Sequence, residues 1–136
     1  MNGTLIKTIK EIKSGDRIFS NIWDITISDD HKMIHIVDYD KGVITLDMNS
    51  KICWEFSGEV LDGAQGLCTD GSGNVIVCGF KSHNVIMLGH NGDYKGEIVT
   101  KQYDVRCPLT VCFDVTKNKL CVGCRIDDNI TVFTLE

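Results

Sequence analysis

Proline is almost missing from this 136-residue chain; Pro108 is the only one. Aromatic side chains are few, at 7%. No apolar run approaches the roughly 18 residues that a membrane-spanning helix needs, so no membrane is expected as a partner. Helical periodicity is nearly absent, which excludes a helical bundle or coiled coil. The opening stretch, MNGTLIKTIKEIKSGDR, alternates apolar and polar residues without a continuous apolar core, unlike a secretory signal. Positive charge is also scarce: 14 Lys and Arg face 19 Asp and Glu, for a net charge of −5. That balance excludes a chain coated in basic patches for nucleic acid, although one basic face remains compatible with it.

What is present is 43% hydrophobic and 24% charged residues, the composition of a soluble globular domain. At this length one domain is expected. There are seven cysteines, at 53, 68, 78, 107, 112, 121 and 124. The number is odd and most lie inside apolar runs. Without a secretory signal they read as reduced, buried thiols acting as small hydrophobes, in a cytoplasmic protein. The sequons at Asn2 and Asn129 therefore carry little weight.

Short apolar or alternating runs are separated by clusters of Asn, Gly, Asp and Ser, the pattern of strands joined by tight turns. Three stretches share one layout: Ile22–Leu46, Ala64–Leu88 and Pro108–Phe133. Ile25, Leu67 and Val111 correspond, 42 and 44 residues apart, and Val43, Val85 and Ile130 correspond, 42 and 45 apart. A four-strand unit repeating every ~40–45 residues is a propeller blade. The fourth strand is NSKICWEF (49–56) in the first unit and NGDYKGEI (91–98) in the second. NGTLIKTI (2–9), with the same leading Asn, has the same shape. With strands lettered A to D outward, the order is D-ABCD-ABCD-ABC, an all-β propeller of about three four-stranded blades. Its units run over 22–56, 64–99 and 108–136, the last closed by strand 2–9.

The glycine-rich stretch AQGLCTDGSGNVIVCGFKSHNVIML (64–88) is one of these units. Gly71, Gly73 and Asn74 make an A–B hairpin turn, where positive φ is needed. They precede a strand, whereas a phosphate-binding loop must open a helix. This unit resembles the NHL-repeat β-propeller, whose pattern it matches at Gly66, Leu67, Asp70, Gly73, Asn74, Val75, Val77, Ser82 and Asn84. The third unit keeps Pro108, Val111, Asp114, Asn118, Leu120, Val122 and Asn129. The first is the most degenerate, keeping Ile25, Ile34, Ile36, Asp38 and Val43. The chain looks most like the C-terminal propeller of tripartite-motif (TRIM-NHL) proteins. In that family a RING, B-boxes and a coiled coil precede the propeller and the whole is a ubiquitin ligase. A RING needs several Cys/His pairs at ligand spacing. The only CxxC here is Cys121 and Cys124, which point to opposite faces of a strand. No ligase activity, metal or cofactor is therefore expected.

NHL propellers are commonly six-bladed, so three blades are half a ring. Apolar residues on both lateral faces call for cover: Ile34, Ile36, Val75, Val77, Leu120 and Val122 on one side, Ile76, Cys78 and Cys121 on the other. Two resolutions stand. One is a homodimer completing a six-bladed ring, each N-terminal strand closing the partner's third blade. The other is a piece of a longer six-bladed protein.

In a propeller the B–C links and the D–A links gather on one face. The B–C links hold Tyr39, Phe80 and Arg125 at equivalent positions, with Lys41, Lys81 and His83 beside them. The D–A links add Lys13, Arg17, Lys101, Tyr103 and Arg106. Aromatic and cationic groups alternating on a rim can anchor a peptide through a few hot spots, or stack unpaired bases and hold phosphates. In the TRIM-NHL family this face serves both uses. Asp38, Asp40, Asp104, Asp127 and Asp128 share it and partly cancel the positive charge. The expected function is a non-catalytic module recognising a protein partner, with single-stranded RNA on the same face as the alternative. Trp23 and Trp54 read as core or inter-blade packing, although Trp23 sits where it can line the channel mouth. The histidines read as turn or strand residues, with no Cys–His pair visible. A metal-dependent hydrolase or lyase would have to draw its ligands from Asp24, Gln65 and Thr110 at the inner strand starts, and one carboxylate in three blades suits a divalent ion poorly.

Overall fold

The computed structural model describes residues 1–11 and 15–136. Eleven strands form three antiparallel sheets among the described residues. Sheet one is β1 (Ile22–Ile27), β2 (Met33–Asp38), β3 (Gly42–Asp47) and β4 (Ile52–Phe56), in that spatial order. Sheet two is β5 (Ala64–Thr69), β6 (Val75–Gly79), β7 (Asn84–Leu88) and β8 (Tyr94–Val99). Sheet three has β9 (Pro108–Asp114), β10 (Lys119–Cys124) and β11 (Asn129–Thr134). The inner strands β1, β5 and β9 lie side by side in succession. The three sheets stand like consecutive blades, and they do not close into a ring.

Strand composition follows position. The middle strands β2 and β6 are rich in Val and Ile and largely covered on both faces, every residue of β6 (VIVCG) being buried, whereas β10 (KLCVGC) is buried on one face only. The outer strands β4 and β11 alternate between half-buried and exposed, as one-sided strands do. Directly paired residues share a face, so register fixes two faces per blade. In sheet one, Ile25–Ile36–Ile44 and Ile27–Ile34–Leu46 line the leading face; Asp24–Val37–Val43 and Thr26–His35–Thr45 line the trailing face. In sheet two the leading face carries Leu67–Val77–Ile86 and the trailing face Cys68–Ile76–Met87.

Each trailing face packs on the next leading face. Val37 and Val43 of sheet one join Leu67, Val75, Val77, Ile86 and Leu88 of sheet two in one buried cluster. Ile76, Cys78 and Val85 join Val111, Leu120 and Val122 of sheet three in a second. Polar bonds lock the first junction: the Leu67 N–H donates to Asp24 (3.1 Å), and Asp29 accepts from the Thr69 hydroxyl (2.6 Å) and the Gly73 N–H (2.8 Å). At the second junction Gly66 lets β5 and β9 approach. A Cβ there would stand 2.7 Å from the Leu109 carbonyl oxygen and 2.9 Å from Thr110 Cα, backbone atoms that cannot step aside. Gly66→Ala should therefore cost about 1–3 kcal/mol of overpacking strain, read as a lower urea midpoint. An unchanged midpoint would show that the two strands separate freely.

Two expectations are corrected. Within one chain, residues 2–9 do not form a strand closing the third sheet; residues 1–10 carry no strand, and Ile9 packs on the buried cluster of sheet one. A strand must find a partner for its backbone groups, and within one chain sheet two stands between this segment and β11. The cysteines are also not uniformly buried. Cys78 and Cys124 are, but Cys53 and Cys112 are exposed, because they lie on outer or uncovered faces; all seven are free thiols. No helix among the described residues is long and apolar enough to cross a membrane.

Candidate functional site

The links that follow β2, β6 and β10 are each tied to the link that precedes their sheet by one repeated hydrogen bond. The Tyr39 N–H donates to the Asn21 carbonyl (2.8 Å), the Phe80 N–H to Gly63 (2.8 Å) and the Arg125 N–H to Cys107 (3.1 Å). The acceptors lie 42 and 44 residues apart, as the repeat requires. Tyr39, Phe80 and Arg125 therefore occupy equivalent places on one end of the three sheets.

Side chains reinforce these ties. In sheet one, Asp38 accepts from the Ser20 N–H (2.7 Å), the Asn21 N–H (3.1 Å) and the Asp40 N–H (3.1 Å). Burial pushes its carboxyl up, but these bonds outweigh burial and hold it below the ordinary carboxylate value. In sheet two the Asn84 amide donates to the Val60 carbonyl (2.7 Å) and to Glu97 (3.0 Å), while the Ser82 hydroxyl donates to Asn84 (2.7 Å) and accepts from the Asp62 N–H (3.0 Å). These are the Ser and Asn of the SHN run. Gly63, at φ +67°, lies under Tyr39 and Lys81, and a Cβ there would stand 3.2 Å from both side chains.

On this frame, rings and cations from successive blades meet. The Lys81 ammonium lies 5.4 Å from the centre of the Tyr39 ring. The Arg125 guanidinium lies 6.0 Å from the Phe80 ring. Both distances fall at or inside the reach of cation–π attraction. The Trp23 ring is 6.1 Å from Tyr39 and 55% exposed, not packed in the core. It begins the first inner strand, and no earlier sheet covers it. Trp54 does pack between blades: its indole N–H donates to the His90 carbonyl (3.0 Å) and its ring is 5.6 Å from that of His35. A cleft of about 470 Å³ opens beside Tyr39, lined in part by Asp40, Lys41, Glu59 and Asp62.

The remaining expected residues separate. Lys41 lines that cleft but spends its ammonium on the Ile18 carbonyl (2.8 Å). Arg17 lies with Ile9, Phe19 and Ile22 around another depression. Arg106 pairs with Asp104 at 3.2 Å in full view of solvent, a contact of little energetic weight. Tyr103 turns edge-on to Phe133 of sheet three, centroids 5.6 Å apart. Lys13 lies outside the described residues. His83 belongs to the face, and it faces Cys107: its Nδ1 accepts the Cys107 N–H (3.0 Å) and lies 3.8 Å from the sulfur. Both residues have left-handed backbones, φ 54° and 49°. This pair was missed in the sequence. The repeat places Cys107 as the equivalent of Asn21 and Gly63, but nothing in the sequence pairs it with His83. At the inner strand starts, Asp24 is committed to the Leu67 and Ile25 N–H groups and Gln65 is buried. No group of three His, Cys, Asp or Glu side chains suited to a metal ion occurs among the described residues.

No protein-family model and no curated protein matches the chain. Among solved structures, hydrazine synthase of Kuenenia stuttgartiensis is similar, with a TM-score of 0.72 at 17% identity over 98% of this chain. The fold is propeller-like. At this identity the likeness concerns the fold alone, and the match spans 36% of the hydrazine synthase chain.

Proposed function

We propose that this chain is a non-catalytic binding module of the NHL type, as in TRIM-NHL proteins, acting in the cytoplasm and recognising a protein partner through the face of the B–C and D–A links. The observation that carries this reading is the pair of inter-blade contacts, Tyr39 with Lys81 and Phe80 with Arg125. Large rings and an Arg held in place by a repeated backbone tie have the make-up of interface hot spots. The face is already ordered, so docking onto it costs little conformational entropy. The adjoining cleft carries Asp40, Glu59 and Asp62 beside its lysine. Those carboxylates suit a peptide with its own charges better than a phosphate chain, whose binding depends on net positive charge. Single-stranded RNA on the same face is the second reading, favoured by the exposed Trp23 ring beside Tyr39, which offers a stacking platform.

The test is the triple variant Phe80→Ala, Lys81→Ala, Arg125→Ala, assayed against a displayed peptide library and a fluorescent oligouridylate. Selected peptides should lose at least about 30-fold in affinity, the loss of one hot spot or more. The far-UV spectrum should stay unchanged, since Lys81 and Arg125 are exposed and Phe80 is only half-buried. Peptide binding that survives the triple change moves the site elsewhere. Oligouridylate binding in place of peptide binding, lost in the same variant, selects the RNA reading.

A further inference from the structure

The segment before sheet one is placed as the fourth strand of a blade that this chain does not otherwise contain. In sheet one, position 54 of the outer strand donates from its side chain to the carbonyl of His90 in the C–D turn of the next blade (3.0 Å). At the equivalent place, the Lys7 ammonium donates to the carbonyl of Met48, 42 residues before His90 (2.6 Å). Lys7 also donates to Ser50 (3.2 Å), the counterpart of Gly92, on which the Trp54 ring rests. Phe56 packs on the buried cluster of sheet two and Ile98 on that of sheet three. Ile9, the matching residue of NGTLIKTI, packs on Ile36, Ile44 and Leu46 of sheet one and on Ile18 before it. Lys7 and Ile9 thus stand against sheet one as Trp54 and Phe56 stand against sheet two, but among the described residues no third strand lies beside them to pair with.

The missing neighbour has its own counterpart. The outer edge of β11 is unpaired among the described residues, and the trailing face of sheet three is bare. Ile130 is 75% and Val132 58% exposed, at the places of Val43 and Thr45, which are buried in sheet one. On the leading face of sheet one, Ile25 and Ile27 are 60% and 46% exposed. We propose that a second copy of this chain occupies both ends: its sheet one seats its leading face on the trailing face of sheet three, and its residues 5–9 add to β11 as a fourth strand. The register of β3 with β4 carries over as Ile9 opposite Ile130, Thr8 opposite Thr131, Lys7 opposite Val132 and Leu5 opposite Phe133.

Three arguments select a second copy. The surplus segment at sheet one and the vacant edge at β11 are complementary in register, so two copies satisfy both at two identical junctions. A head-to-tail contact of this kind closes when the rotation allows. Two copies give six blades, within the range of about 4–8, whereas three would give nine. The surface area agrees. A monomer of 15.2 kDa ordinarily exposes about 7,100 Å², while this chain exposes 8163 Å². The excess is on the scale of the roughly 800 Å² that each partner buries in a standard interface.

The test is the solution mass of the full chain by light scattering, joined to hydrogen exchange. The expected species has twice the mass of 15.2 kDa, with slowed amides in 5–9 and 129–134. Val132→Asp and Leu5→Asp, each at a side chain exposed in the single chain, should keep the fold, raise the dimer dissociation constant at least about 100-fold and free those amides. Cys112, exposed in the single chain and on the same face as Val132, should react slowly with a thiol reagent in the wild type and rapidly in Val132→Asp. A monomer with fast exchange in both segments overturns the proposal and leaves the open ends to other blades. So does a dimer that neither substitution weakens, or an assembly larger than two.

Discussion

Taking the protein from pH 6.5 to pH 4 should remove roughly 3 kcal/mol of folding stability through one side chain, His35. His35 lies mid-strand in β2 on the trailing face of sheet one, 1% exposed. Its Nδ1 is 2.8 Å from the Thr45 hydroxyl and its ring leans on Trp54. Burial pushes its pKa from 6.5 down to about 4, and the charge of His90 adds to the effect against the opposing pull of Asp29 and Asp30. The folded state therefore holds the ring neutral where the unfolded chain protonates it. Above pH 6.5 both states are neutral and nothing is lost. As pH falls from 6.5 towards 4, the unfolded state gains a proton that the folded state refuses, and stability falls by about 1.4 kcal/mol per pH unit. Asp30 and Asp38, held below the ordinary carboxylate value, titrate beneath this window. Urea denaturation at half-unit pH steps measures the slope. His35→Gln, which can still bond the Thr45 hydroxyl, should flatten it. An equal loss of stability in His35→Gln would assign the effect to other groups.

Leu67→Ala should destabilise the chain by about 2–5 kcal/mol, the cost of a truncated core side chain and the cavity left behind. Leu67 is 4% exposed and belongs to the cluster joining sheets one and two. Ile25 holds the equivalent position one repeat earlier and is 60% exposed. Ile25→Ala should change the stability of the single chain by no more than about 0.5 kcal/mol. The same change should cost more at concentrations where a second copy covers sheet one. Chemical denaturation at two protein concentrations, tenfold apart or more, separates these cases. If Leu67→Ala proves as mild as Ile25→Ala at low concentration, the packing of blade on blade is not what stabilises the fold.

The face proposed to bind a partner was legible as far as the repeat reached. Tyr39, Phe80 and Arg125 were equivalent in the sequence, and one recurring backbone bond makes them equivalent in space. Their partners were not legible. Lys81 meets Tyr39 of the previous blade and not its own neighbour Phe80, a choice made by the rotation between blades. Tyr103 and Arg106 fell in the right link, yet the 3₁₀ turn at Lys101–Tyr103 carries the Tyr103 ring onto Phe133. His83 and Cys107 are 24 residues apart in the chain and meet because their two links share a backbone register.

The period of the repeat and the alternation within each strand determine by themselves which residues pair and which face each one takes, because both follow from the two-residue period of a strand and the sterics of its turns. They leave open which faces are covered. Ile25 and Leu67 are equivalent in pattern, as are Val43 and Ile130, yet one of each pair is buried and the other is not. Burial depends on whether a neighbouring blade stands alongside, and only the tertiary structure supplies or withholds that neighbour. The same reason separates NGTLIKTI from its two counterparts. Its pattern is that of a strand, but among the described residues no partner edge lies beside it, and the fold alone decides that it forms none.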